Sequence, residues 1–261
     1  MNSKETDELK PIALQLYSLR KDVYPGGADL PGVIKTLAEI GYKGVELAGL
    51  QGNDPKDIGK LVSDLGMQVC SGHAGLPNDE NVKAMADEFA ALGAKRVVSG
   101  YGPDNFKTLD AVKKAAEDFQ KAAEVLKPYG MTFGFHNHWW EFVEIDGKLA
   151  YDILMAEGSD FFSELDTYWT AFGHADPVAI VSKHKSRLPL LHIKDGMLEE
   201  GKHVHTAVGS GKMNVPAVIG AADPNVLEWL IVELDACETD MLEAVKQSHK
   251  YLTSQGLASG K

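Results

Sequence analysis

The sequence predicts an α/β chain in which strands and helices alternate from one end to the other. Three observations lead there. Eight short apolar runs start roughly 25 to 40 residues apart, and each is followed by a helical pattern with apolar residues at three-and-four spacing. A glycine often stands between a helix and the next run. No composition break or linker divides the chain. Alternating strands and helices imply a parallel sheet, and eight such units in about 250 residues match a closed (β/α)8 TIM barrel in number and size.

The expected strands cover 12–17, 44–48, 67–71, 96–99, 131–135, 161–165, 188–193 and 229–234. The expected helices cover 30–40, 57–65, 80–92, 109–129, 149–156, 177–186, 215–221 and 239–255. Asp29 suits an N-cap for the first helix, and Pro55 suits a first turn of the second. Gly41, Gly66, Gly93, Gly130 and Gly158 stand where a helix wants a left-handed residue to end it. A doubly wound open sheet competes with the barrel, but it would carry a glycine-rich phosphate turn after strand 1. Residues Leu16, Tyr17, Ser18, Leu19 and Arg20 supply none. The chain therefore reads as one barrel domain over 1–261, with 1–10 a disordered or peripheral N-terminal segment.

Composition narrows the function classes. With 44% apolar and 25% charged residues the chain can bury a sizeable core. A net charge of −12 repels phosphate backbones, which sets nucleic acid aside as a general partner and favours a neutral or metal-bound small molecule. Cys70 and Cys237 are too far apart in sequence for a CxxC metal motif and too few for a disulfide framework, so both read as buried thiols in a reducing compartment. Residues 1–11 lack an apolar signal region and no run approaches 18 apolar residues, so the chain as given reads as cytoplasmic with no membrane span. A chain already trimmed of an export signal would look the same.

Reactive residues of such a barrel gather at the C-terminal ends of its strands. Reading those ends in order gives Glu46, His73, Tyr101, then His136, His138 and Glu141, then Glu164 and Asp166, His192 with Lys194 and Asp195, and Glu233 with Asp235. Side chains alternate faces along a strand, so His192 shares a face with Lys194, and Glu233 with Asp235. Any single carboxylate there serves equally as a helix N-cap, any single histidine as a hydrogen-bonded core residue, and Trp139 and Trp140 as a roof. Four successive strands ending in such groups argue for a site. Asp166, His192 and Glu233, joined by Glu141 or a strand-5 histidine, form an oxygen-rich set suited to one divalent ion: Mn²⁺, Co²⁺, Mg²⁺ or Zn²⁺.

Four stretches carry a resemblance. His136-Asn-His-Trp-Trp-Glu141-Phe142, Leu165-Asp166-Thr-Tyr-Trp169, His192-Ile-Lys-Asp195 and Val232-Glu233-Leu-Asp235 resemble the xylose-isomerase-like TIM-barrel superfamily, and within it the sugar phosphate isomerases/epimerases. The resemblance runs from Leu14 onward. It implies a metal-binding enzyme of carbohydrate metabolism that uses manganese or zinc, with Asp166, His192 and Glu233 as metal ligands and a homodimeric assembly. Many relatives end strand 5 in a glutamate where this chain has His136. That leaves Glu141, His136 or His138 for the fourth ligand, with Glu141 favoured.

The chemistry this implies is proton abstraction beside a sugar or keto-sugar carbonyl through a metal-stabilised enediolate. His136, His138 or Glu233 would take the proton, and Lys194 would neutralise developing negative charge. Glu46 and His73 would bind hydroxyls, while Trp139, Trp140 and Trp169 offer faces on which a ring can stack. A 3-keto-sugar lyase or hydrolase, or an inosose-type dehydratase, would use the same site. An abasic-site endonuclease fits the charge poorly, and a non-catalytic sugar-binding barrel would need no metal. Residues 198–212, with His203 and His205, read as a lid or as a solvated loop.

Overall fold

A computed structural model describes residues 9–20, 29–199, 202 and 204–261. Eight strands close into a barrel: β1 (Ile12–Gln15), β2 (Gly44–Leu47), β3 (Gln68–His73), β4 (Arg96–Ser99), β5 (Thr132–His136), β6 (Phe162–Asp166), β7 (Leu190–Ile193) and β8 (Trp229–Val232). Every neighbouring pair is parallel, and β1 closes the ring by pairing with both β2 and β8.

Among the described residues the α-helices are α1 (Leu30–Ile40), α2 (Pro55–Asp64), α3 (Val82–Ala91), α4 (Leu109–Leu126), α5 (Ala150–Glu157), α6 (Thr167–Phe172), α7 (Pro177–His184), α8 (Val215–Gly220) and α9 (Met241–Ser254). Asp29 caps α1 by accepting from Gly32 N–H, and Pro55 opens α2 behind the cap Asp54. The short helix α6 lies outside the eight expected: it starts directly from the end of β6, where a strand-like apolar run hides the turn. Two small antiparallel ladders, Glu144–Ile145 with Lys148–Leu149 and Asp195–Gly196 with His205–Thr206, were also not legible in the periodicity.

Four of the five expected left-handed glycines are left-handed. Gly158 is not: its φ is −124°, in the extended region, and a Cβ there would overlap the Phe161 ring. Glycine at 158 makes room for an aromatic ring and has no role in reversing the chain. Cys70 is buried, as expected, whereas Cys237 is only partly so.

Apolar packing falls into two shells. The larger lies between barrel and helices. The smaller fills the barrel interior with Ala13, Cys70, Val98, Leu190, Trp229 and Ile231, with Phe162 against it. Here bulk on one strand meets glycine on another. A Cβ on Gly44 would stand 2.7 Å from the Trp229 ring, and one on Gly134 would overlap the Phe162 ring. This apolar plug fills one end of the barrel and leaves the strand C-termini to polar groups. Of the expected peripheral segment, residues 1–8 lie outside the described residues, while Lys10 O accepts from Ser259 N–H and so joins the bottom of the barrel. Among the described residues no helix is long and apolar enough to cross a membrane.

Candidate active site

Strand alternation sets the layers. On β5 to β8 the inward positions read Gly134 and His136, then Phe162, Glu164 and Asp166, then Leu190 and His192 with Lys194 beyond, then Ile231 with Glu233 and Asp235 beyond. Each strand thus passes from apolar to ionisable in one step of the pleat. Register staggers the layers, with His136 beside Glu164 and Asp166 beside His192.

The deeper polar layer is held tightly by hydrogen bonds. Glu46 is fully buried and accepts from Gln15 Nε2 (2.7 Å) and Ser71 Oγ (2.6 Å), and its Oε2 lies 2.7 Å from His192 Nε2. Glu164 Oε2 lies 2.7 Å from His73 Nε2, 3.2 Å from His136 Nδ1 and 3.2 Å from His192 Nε2. Nearer the mouth, His192 Nδ1 is 2.9 Å from Glu233 Oε2, and Asp166 Oδ2 is 4.0 Å from both His192 Nδ1 and His136 Nε2. The Lys194 ammonium sits 2.7 to 2.8 Å from Asp166, Glu233 and Asp235.

These contacts fix the charges. Burial alone would raise Glu46, yet the imidazoles of His73 and His192 outweigh it and hold the carboxyl well below its ordinary value. Burial likewise opposes charge on Glu233, but Lys194 and then His192 hold it well below. Glu164 and Asp166 are raised, first by burial. His192 is held well above its ordinary value against burial by Glu164 and Glu46, and His73 is pushed up to about 10 by Glu46 and Glu164. The histidines of strand 5 go the other way. Burial, then the neighbouring imidazoles, keeps His136 well below, and burial, then Lys194, holds His138 down to about 4. Lys194 stays charged because three carboxylates outweigh its burial.

One ligand atom each from His136, Asp166, His192 and Glu233 lies within 4.8 Å of the others, and all four residues are buried. A second such group, His73, His136, Glu164 and His192, shares two of these histidines. Two nitrogens and two carboxylate oxygens suit a divalent ion of the Mn²⁺–Zn²⁺ range, so the donor set fits the expected cofactor. Glu141, the carboxylate favoured for strand 5, is in neither group. The strand stops at His136 and the chain turns, which puts Glu141 in a 3₁₀ turn (Trp140–Phe142), fully buried, with Oε2 accepting from His138 N–H at 2.9 Å. Burial raises its carboxyl well above the ordinary value, toward the neutral acid. The strand-5 member of each group is His136.

Other expected residues also find different surroundings. Glu46 lies beneath the mouth rather than at it. His73 reaches the mouth cavity, a space of about 540 Å³ lined also by Gln15, Tyr17, Ala48, His136, His138, Glu233 and Asp235. Trp169 is 3% exposed and packs against Trp139 and His205, and neither Trp139 nor Trp169 lines that cavity. Trp140 stacks on His138 (4.2 Å between centroids) and donates from Nε1 to Tyr101 O. These indoles build the wall that holds His138.

Sequence reading placed Glu164 and Asp195 at strand ends without giving either a role, and it missed Asn137. Glu164 carries the same two-residue alternation with Asp166 that His192 shows with Lys194, so its signal was present. Asn137 is buried and its amide clasps the backbone N–H and C=O of Asp166, tying the end of β5 to the end of β6. Asp166 itself does two jobs, with Oδ1 capping α6 at Trp169 N–H. Asp195 accepts four backbone N–H groups, from Gly196, Gly209, Gly211 and Met213, and so moors the strand-7 loop expected as lid or solvated coil. From that loop His205 accepts from Asp235 N–H, while His203 lies outside the described residues.

Comparison with known proteins agrees with this architecture. The family model described as xylose isomerase-like TIM barrel matches residues 34–255. The chain is 26% identical to the rhizopine catabolism protein MocC of Rhizobium meliloti, over 92% of this chain and 86% of that protein. It is 22% identical to the inosose dehydratase of Clostridium beijerinckii, over 84% and 87% respectively. Among solved structures, a sugar phosphate isomerase/epimerase from Parabacteroides distasonis superposes with a TM-score of 0.81 at 27% identity, covering 96% of this chain and all of that one.

Proposed function

We propose that this chain, which belongs to the xylose isomerase-like TIM barrel family, is a divalent-metal-dependent isomerase or epimerase of a sugar or keto-sugar. The observation that carries the reading is the buried set His136, Asp166, His192 and Glu233, which sits against a mouth cavity with a neutral imidazole, His138, on its wall. A divalent ion held by that set would polarise a carbonyl and stabilise the charge left when a neighbouring proton departs, a contribution of several kcal/mol.

The chain's own residues do the rest. His138, kept uncharged by burial and by Lys194, lines the cavity and accepts the proton. Stacking on Trp140 fixes the plane of the ring. Lys194 balances the charge of Asp166 and Glu233 and is itself held by Asp235. The cavity lining has Glu233 and Asp235 but no lysine or arginine among the described residues, which favours an uncharged polyol over a phosphorylated one and disfavours a phosphate backbone.

A second reading is a dehydratase-type lyase. His73 favours it: its imidazole is charged near neutral pH and reaches the same cavity, where it would protonate a departing hydroxyl. The two readings share their first step and part at the second. Incubation of the metal-loaded protein in D₂O with neutral sugars and keto-sugars, followed by NMR, should show deuterium entering beside the carbonyl. A retained carbon–oxygen skeleton then means isomerase or epimerase, and a dehydrated product means lyase. Elemental analysis should find one divalent ion per chain, lost in His192→Ala. A protein that binds no ion, or that exchanges no carbon-bound proton in any substrate, is not the enzyme proposed.

A further inference from the structure

His136 and His192 each turn their two ring nitrogens toward different partners. His136 Nε2 and His192 Nδ1 face Asp166 and Glu233, while His136 Nδ1 and His192 Nε2 face Glu164 and Glu46. The two sides have unlike spacings. Ligand atoms about 2.1 Å from an ion at the tetrahedral angle stand about 3.4 Å apart. On the upper side two of the separations are 4.0 Å, open enough to draw in around an ion, and the third, His192 Nδ1 to Glu233 Oε2, is 2.9 Å. On the lower side His192 Nε2 and Glu46 Oε2 are 2.7 Å apart, as are His73 Nε2 and Glu164 Oε2, which is the length of a charge-assisted hydrogen bond. Glu46 has, besides, its other contacts filled by Gln15 and Ser71. The lower group holds protons, and the upper group is where an ion fits.

From this we infer that Glu46 and Glu164 are positioning residues, a carboxylate floor that fixes the tautomers of the two imidazole ligands. Glu46 takes the Nε2–H of His192, and Glu164 takes the Nδ1–H of His136. Each ring then presents its unprotonated nitrogen upward, the role that carboxylates hydrogen-bonded to metal-ligating histidines play in general. The inference rests on the metal reading above, and adds that Glu46, being under the ligands and fully buried, touches no substrate.

The test is metal binding and spectroscopy on the full chain. Co²⁺-loaded wild-type protein should show two solvent-exchangeable, paramagnetically shifted N–H resonances, one per ligating ring. Glu46→Gln and Glu164→Gln should each perturb a different one of the two. Each variant should weaken Co²⁺ or Zn²⁺ affinity by about 10–100-fold, at unchanged stoichiometry and with the metal-free unfolding midpoint preserved. Unchanged affinity in both variants, with one ion still bound, overturns the floor and leaves the metal reading standing. Two ions per chain would overturn it too, because the lower group would then hold a metal. Should a variant fail to fold, the wild-type spectrum decides: a bound Co²⁺ without exchangeable ring N–H signals refutes the assignment. Wild-type protein that takes up no Co²⁺ or Zn²⁺ removes the metal reading itself.

Discussion

The two ends of the barrel interior are closed by different physics. At the bottom, Trp229 and Phe162 fill the space that Gly44 and Gly134 leave, and the fit is one of shape. At the top, two imidazoles, four carboxylates and one ammonium occupy a similarly buried position, with His73 partly buried beside them, and the fit is one of charge and protons. Shape complementarity stabilises the fold directly. Buried charge does so poorly, because desolvation offsets most of the Coulombic gain. The top of the barrel therefore adds little stability for the charge it buries, and the bottom supplies it through apolar packing.

If that division holds, substitutions at the two ends should separate rate from stability. The largest effect belongs to the top. His138→Gln should lower kcat by roughly 10²–10⁴-fold, the range for a lost general base, while metal content and urea midpoint stay near wild type. A variant that keeps its rate would take His138 out of the mechanism. An intermediate effect belongs to the bottom. Gly134→Ala pushes a methyl group into the Phe162 ring and should cost about 1–3 kcal/mol of stability through overpacking, measured by urea denaturation, with the metal site unaffected. Restoration by a second change, Phe162→Leu, would tie the loss to that contact.

The smallest effect lies outside the barrel. Burial alone would raise Asp152, but Lys183 and His184 outweigh it and hold the carboxyl below its ordinary value. A depressed carboxyl contributes stability above its unfolded pKa, and that contribution disappears as pH falls through the folded one. Solvent screens the pair, so Asp152→Asn should cost under about 1 kcal/mol at pH 7. The difference from wild type should shrink as pH falls through the folded pKa and vanish below it. A gap that widens in acid would contradict the sign.

The sequence made the barrel and half of its site readable for a common reason, strand periodicity. Runs such as 96–99 and the cluster residues Asp166, His192 and Glu233 follow from alternation and from the rule that strand C-termini carry the chemistry. Glu164 obeyed the same alternation and needed only the observation that Asp166 and Glu164 share a face. Glu141 could not be judged this way, because the chain leaves the strand after His136 and no periodic pattern reports which way a 3₁₀ turn points. The depth of Glu46 is set by register with Gln15 and Ser71 on neighbouring strands, information that only pairing supplies. Trp169 reads as a platform in sequence because its companions, Trp139 and His205, arrive from other loops.

The four amides gathered on Asp195 have a consequence for how the mouth can diversify. The short ladder pairing Asp195 with Thr206 and Gly196 with His205 closes one side of the strand-7 loop, and the carboxylate grips 209–213 on the other. Chain between Gly196 and His205 can therefore lengthen, shorten or change composition without the alteration travelling into β7 or the base of α8, since lengthening a surface loop carries only a small entropic cost. The strand-7 loop can thus vary while the buried cluster on the strands beneath it keeps its geometry.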